Sequence, residues 1–229
     1  MRAAGKRTDG PVSRLINRRF SGVVTSLLLR RWRPSPNKVT VATTLIGLLP
    51  IILYVNPSPV NAALAGVLVQ AASILDGVDG EVARLTGRTS RYGALLDATL
   101  DRIVDVGVTG AASYAVVSGL GIGGLLAALL YILPVTGGLL VSYIHAQARL
   151  QLGSHPMLIT GLTCWCSRDV RLFTIFLTSL LVPLLGWAAL AAGLLYIGVS
   201  GYAYTLAQLI LLYRVAGRDR SDSSRGGGV

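Results

Sequence analysis

From residue 34 onward, long apolar stretches alternate with short polar or basic ones, whereas the stretch before them is apolar on one helical face only. Between Pro11 and Trp32, Val12, Leu15, Ile16, Phe20, Val23, Val24, Leu27 and Leu28 recur at helical spacing, opposite Arg14, Arg18, Ser21 and Thr25. This predicts an amphipathic juxtamembrane helix over residues 11–33, lying in the membrane surface with its basic side toward the headgroups and with Arg19 snorkelling out of the apolar arc. Pro34-Ser35-Pro36-Asn37 breaks that helix. Apolar spans follow at Lys38–Tyr54, from Val60 past Leu75, from before Asp97 to Ser118, and at Leu125–Arg149, Val170–Leu185 and Trp187–Tyr213. Most approach the roughly 20 residues that cross a bilayer. The expected fold is an all-α integral membrane protein in which six transmembrane helices fill residues 34–214. The basic residues 1–10 and the charged, Gly/Ser-rich residues 215–229 are expected to be disordered.

Composition agrees: 229 residues with 52% hydrophobic content and a mean hydropathy of +0.62 suit one membrane domain. A net charge of +11 would also suit a nucleic-acid partner, but ten of the 21 basic residues fall within residues 1–38 and most others in short connections or at the C-terminus. That is juxtamembrane anchoring, so a lipid bilayer is the expected partner and nucleic acid is not. Lys and Arg occupy the N-terminus, the 84–91 loop, the 145–171 connection and the C-terminus, and none occurs in the turns near 57, 121 and 186. Six spans with both termini in the cytoplasm satisfy this distribution at every loop. Residues 1–10 lack an apolar core of the kind a cleaved signal requires. Cys164 and Cys166 alone make no disulfide framework or four-ligand zinc site, and are read as reduced thiols on the cytoplasmic side. Gly119 to Gly124 formally matches Gly-x-Gly-x-x-Gly, but without a βαβ unit it reads as a tight turn.

Against this apolar background, Asp76, Asp79, Asp97 and Asp101 stand out. Ionisable groups in membrane spans are costly and mark ion or substrate sites. Asp76 and Asp79 are three apart and Asp97 and Asp101 four apart, so each pair is expected on one face of its helix. The second span should run past Leu75 into the first pair and project near Arg84, with Thr86–Arg91 as a basic loop. Two such faces turned together form a four-carboxylate cage whose repulsion one or two bound divalent cations would relieve. An all-oxygen site favours Mg²⁺ or Mn²⁺. Glu81 reads as a solvated residue at headgroup level, and Asp105 stays open between support of the metal site and packing.

Asp76-x-x-Asp79-Gly80-x-x-Ala83-Arg84, eight residues, Gly93-x-x-x-Asp97-x-x-x-Asp101 resembles the signature of the CDP-alcohol phosphotransferases, also called CDP-alcohol phosphatidyltransferases. The resemblance implies a membrane enzyme, homodimeric as its relatives are, that moves a substituted phosphate from a CDP-linked donor to an acceptor alcohol and releases CMP. It implies that Asp76, Asp79, Asp97 and Asp101 surround the metal, with Asp101 as general base. Gly80, Ala83 and Gly93 would let the nucleotide approach the helix backbones, and Arg84 would meet a phosphate oxygen. Ser142-Tyr143, Ala146 and Ala148 resemble the family's fourth helix, with His145 and Gln147 where relatives often carry basic residues. Arg168-Asp169-Val170-Arg171 resembles its basic approach to helix five, making Arg168 and Arg171 candidates for gripping an acidic acceptor.

Asp9 to Arg18 and Ser35 to Thr40 resemble the start of the transferase domain of di-myo-inositol phosphate phosphate synthases. This implies CDP-inositol plus inositol phosphate, giving di-inositol phosphate phosphate. A phospholipid synthase joining a CDP-linked lipid to inositol phosphate or glycerol phosphate is the alternative. The chain shows no soluble nucleotidyltransferase domain, so its donor is expected from another enzyme. A transporter is disfavoured, because the acids gather toward one face beside a basic loop and not at a midplane between paired broken helices.

Overall fold

In a computed structural model, residues 10–32 and 34–225 are described, with side chains as far as residue 215. A π-helical turn, Ser13–Asn17, leads into α1 (Arg18–Arg31). There follow α2 (Pro36–Tyr54), α3 (Pro59–Leu75), α4 (Val78–Leu85), α5 (Arg91–Leu120), α6 (Gly124–Leu152), α7 (Pro156–Thr160), α8 (Arg168–Leu180), α9 (Val182–Leu185) and α10 (Trp187–Arg225). No strand occurs among the described residues. The starts of α3 and α5 are set locally, by Ser58 Oγ accepting from the Asn61 amide at 3.1 Å and Ser90 Oγ from the Gly93 amide at 2.9 Å. The Gly119–Gly124 stretch is the expected turn, with Gly121 ending α5 at φ 63°.

α2 packs on α3 and α5, α3 on α8, α5 on α6, and α10 on α6 and α8. Lipid offers helices little hydrophobic reason to associate, so close approach through small residues takes that role. A Cβ on Gly201 would lie 2.5 Å from the Gly137 carbonyl oxygen, and one on Gly198 2.8 Å from the Leu133 carbonyl carbon, which fixes how nearly α6 and α10 touch. Elsewhere Val69, Val108, Ala112, Ile175 and Leu194 form the buried core, and Tyr54 Oη meets Ser179 Oγ at 2.6 Å inside it.

Among the described residues, five helical stretches are long and apolar enough to cross a membrane: Pro36–Tyr54, Pro59–Leu85, Arg91–Leu120, Gly124–Leu152 and Trp187–Val215. The remaining expected span, Val170–Leu185, is split at Leu181 between α8 and α9, where Pro183 denies the helix an amide donor. Together these two pieces still reach from Arg168 beside the acidic residues to Trp187, whose indole packs over Gly119 near the end of α5.

The second span runs past Leu75 through the aspartates to Leu85, as two helices, α3 and α4, that meet at a joint formed by Asp76 and Gly77. Both joint residues keep right-handed helical backbone angles. Two further expectations change. α10 continues past Tyr213 to Arg225, so residues 215–225 are helical and not a disordered tail. They contain no proline, and each added helical residue gains a hydrogen bond. Residues 1–9, 33 and 226–229 fall outside the described residues, as do the expectations made for them.

The second change concerns α1. Its polar side packs on the protein and not on headgroups: Ser21 and Thr25 are buried, while Phe20, Val23 and Leu27 are exposed, as an interfacial helix's apolar side should be. The reason is Glu81 on α4, which is 2% exposed and not solvated at headgroup level. Its carboxylate accepts from Ser21 Oγ at 2.8 Å and Thr25 Oγ1 at 2.7 Å, and pairs with Arg18 Nη1 at 3.2 Å. Asn17 adds a bond to Ser73 Oγ at 3.0 Å and accepts one from Gln70 at 3.1 Å. Glu81→Ala removes the acceptor that Ser21, Thr25 and Arg18 share, and is expected to cost about 3 kcal/mol, near the lower end for a broken buried pair because Arg18 is partly exposed. Thermal unfolding in detergent measures this; an unchanged midpoint would remove Glu81 as the clamp on α1.

Candidate active site

The site forms where the α3–α4 joint meets α5. Asp76 stands on the joint, and Asp97 and Asp101 are one helical turn apart on α5. One carboxylate oxygen from each of the three lies within 4.8 Å of the others. Such a cluster of hard oxygen donors fits Mg²⁺ or Mn²⁺ and does not suit a soft metal. Asp79 is set aside from this group. It is buried, accepts from Thr40 Oγ1 on α2, and takes the Gly80 amide at 2.5 Å. The expected four-carboxylate cage is therefore three converging carboxylates with a fourth held by hydrogen bonds nearby.

Arg168, the first residue of α8, reaches into the cluster. Its Nη1 lies 2.6 Å from Asp76, its Nη2 3.1 Å from Asp101 and its Nε 2.8 Å from Asp105. One guanidinium thus offsets the repulsion among three carboxylates that burial would otherwise make severe. Asp105 also meets Arg171 at 3.4 Å and Arg102 at 3.5 Å, which places it as the counter-ion that seats the arginines. Arg168 and Arg171, the candidates for gripping an acceptor, thus line the larger cavity while paired with carboxylates. Arg171 is 6% exposed, and Gly138 leaves the space its guanidinium fills, since a Cβ there would lie 2.1 Å from Nη1.

Two cavities flank the cluster. One, of about 230 Å³, brings together Gly80, Ala83, Arg84 and Gly93 with Asp79 and Asp97. All four residues expected around the nucleotide thus share one wall system. The other, of about 430 Å³, is lined by Asp76, Asp97, Arg168 and Arg171 and, further out, by Arg18 and His145. Asp101 lines neither; it borders a recess of about 20 Å³ with Asp76, Asp97 and Thr40. Over the larger cavity the N-terminal segment is strapped to α8: the Ser13 amide donates to Asp169 Oδ2 at 2.7 Å, and Ser167 Oγ bonds Oδ1 at 2.5 Å. His145 does not reach the aspartates and instead meets Tyr204 Oη at 3.0 Å; Gln147 is half-buried on the same helix.

The sequence reading missed Thr40, Arg18 and the seating role of Asp105. Thr40 left a weak trace, as one of three threonines, with Thr43 and Thr44, in an otherwise apolar span. Arg18 was legible only through Glu81, whose burial demands a partner.

A bundle of apolar helices with carboxylates and arginines gathered at one end defines a multi-pass membrane protein with a polar centre. The sequence profile of the CDP-alcohol phosphatidyltransferase family matches residues 34–201, and the chain belongs to that family. It is 40% identical over 213 residues to the bifunctional IPC transferase and DIPP synthase of Rubrobacter xylanophilus, covering 92% of this chain and 44% of that protein. A protein of the same name from Thermococcus kodakarensis is 43% identical over 119 residues, 52% of this chain and 26% of that one. The chain thus spans less than half the length of these two relatives. The archaetidylinositol phosphate synthase of Pyrococcus horikoshii is 31% identical over 162 residues, covering 67% of this chain and 78% of that protein. In fold, the chain superposes on the phosphatidylinositol phosphate synthase of Mycobacterium tuberculosis solved with CDP-DAG, with a TM-score of 0.68 at 22% identity, over 85% of this chain and 94% of that one. The same synthase has been solved with manganese and citrate, and superposes with a TM-score of 0.65.

Proposed function

We propose that the chain transfers a substituted phosphate from a CDP-linked alcohol to the hydroxyl of a phosphorylated alcohol and releases CMP. The observation that supports this most is the convergence of Asp76, Asp97 and Asp101 beside two cavities, one walled by small residues and Arg84, the other by Arg168 and Arg171. The smaller cavity takes the cytidine diphosphate: Gly80, Ala83 and Gly93 permit close approach, and Arg84 meets a phosphate oxygen. The larger takes the acceptor, whose phosphate Arg168 and Arg171 attract.

Asp76, Asp79, Asp97 and Asp101 would hold one or two divalent cations, which when bound supply charge neutralisation at the diphosphate and polarise the phosphorus. Arg168 serves as counter-charge for the same oxygens and becomes available to the acceptor when they are otherwise neutralised. Asp101 accepts the acceptor hydroxyl proton as the new phosphorus–oxygen bond forms and the bond to CMP breaks.

CDP-inositol with inositol phosphate is the favoured pair, supported by the 40% identity across 92% of the chain to a protein named for that chemistry. A CDP-lipid donor is the second reading, supported by the likeness to an archaetidylinositol phosphate synthase. Purified protein offered either donor, each with inositol 1-phosphate or glycerol 3-phosphate, should release CMP with CDP-inositol and inositol 1-phosphate; turnover with the lipid donor alone would overturn the favoured pair.

We infer further that the protein works as a homodimer in the cell membrane, crossing it six times with the α8–α9 pair as the fifth pass, and with its termini and acidic centre in the cytoplasm. Single cysteines at Ser58 and Gly121 in a cysteine-free background should react with an impermeant thiol reagent from outside, and one at Thr89 should not. The opposite pattern would overturn this orientation.

A further inference from the structure

The connection between α7 and α8 contains the chain's two cysteines, Cys164 and Cys166, which the transfer chemistry does not use. Trp165 between them turns outward and stacks edge-on against Tyr204 at 5.6 Å, while both thiols turn inward with their sulfurs 3.9 Å apart. Cys166 is fully buried, whereas Cys164 lines the 430 Å³ cavity. Beside them, His145 lies 3.0 Å from Tyr204 Oη and its ring centre 4.4 Å from that of His155. Plain packing needs no such pairing of thiols with imidazoles at a cavity wall.

We propose that Cys164 and Cys166 are a redox couple that low-molecular-weight disulfides reach through this cavity, and that closing their disulfide lowers turnover at the acidic centre. The Cys164 thiolate attacks one sulfur of the small disulfide, forming a mixed disulfide and releasing one small thiolate. The Cys166 sulfur then attacks Cys164, forming the internal disulfide and releasing the second. The two protein thiol protons end on the two released thiolates, and two electrons pass from the protein to the small disulfide. Reactivity at Cys164 has a local cause. A hydrogen bond from Cys166, ahead of one from His145, holds its thiol down at about 5 against the opposing effect of burial. The thiolate is the attacking form. Burial, then the charges of His145 and Arg149, hold His155 down at about 4, so it stays neutral.

The link to the site is covalent and short. Ser167 and Arg168 follow Cys166 directly, and the Arg168 guanidinium bridges Asp76, Asp101 and Asp105. Drawing the sulfurs from 3.9 Å to the roughly 2 Å of a disulfide tightens the loop that aims it. This control of turnover rests on the function proposed above; the redox couple does not.

The test equilibrates purified full-length protein with graded mixtures of reduced and oxidised glutathione, then quenches with acid, unfolds, alkylates and weighs the intact chain, with CMP release assayed in parallel. The expected result is two alkyl groups in reducing mixtures and none in oxidising ones, lost together. Cys166→Ser should instead hold one glutathione under oxidising conditions. CMP release should fall with the alkylatable thiols and return with dithiothreitol. Two alkyl groups at every mixture would overturn the couple whatever the activity, and a disulfide that leaves CMP release unchanged would overturn the control of turnover.

Discussion

Asp97→Asn is expected to lower CMP release about a thousandfold at ordinary metal concentration, with the fold intact. Asp97 is one of the three carboxylates that converge, and it borders both flanking cavities, so it is the residue at which donor, acceptor and cation are proposed to meet. Removing its charge weakens the donor set, and the several kcal/mol of charge stabilisation a cation supplies goes with it. About 4 kcal/mol corresponds to about three decades in rate. Because the defect lies in affinity, excess Mg²⁺ or Mn²⁺ should restore part of the rate. A variant that keeps wild-type turnover would remove Asp97 from the centre.

Asp101→Asn should behave differently. Asp101 belongs to the same cluster and borders the small recess, which shares Asp76, Asp97 and Arg168 with the larger cavity. As the proposed proton acceptor its loss should cost roughly 10²- to 10⁴-fold in CMP release, and excess metal should restore none of it. Titration with Mn²⁺, followed by its paramagnetic resonance signal, separates the two variants: a larger affinity loss for Asp97→Asn, a larger turnover defect per bound ion for Asp101→Asn. If excess metal rescued Asp101→Asn fully, Asp101 would be a ligand and no base.

Much of this arrangement was legible in the residues. Asp97 and Asp101 meet as spacing required, because a four-residue step on an unbroken helix leaves little freedom. Gly80, Ala83, Arg84 and Gly93, singled out by the family resemblance, line one cavity. Asp76 joins Asp97 and Asp101, while Asp79 stands beside the three, held by Thr40 and the Gly80 amide, a tertiary arrangement that apolar periodicity does not report. What the polar side of α1 meets was not legible either: a buried carboxylate on α4 takes the donors of Ser21, Thr25 and Arg18, so that side packs on the protein and not on headgroups. Arg168 and Arg171 were recognised as important cations, but local sequence could not reveal that Asp105, some sixty residues earlier, is what seats them.

The central claim is that the carboxylates of α4, α5 and the α3–α4 joint form a metal-dependent transfer centre. The most direct measurement is CMP release by the purified protein from its CDP-linked donor and phosphorylated acceptor after chelation, then after return of a divalent cation. Chelated protein should release no CMP above background and should recover with Mg²⁺ or Mn²⁺ in proportion to ion bound. Undiminished CMP release in excess chelator would contradict the account.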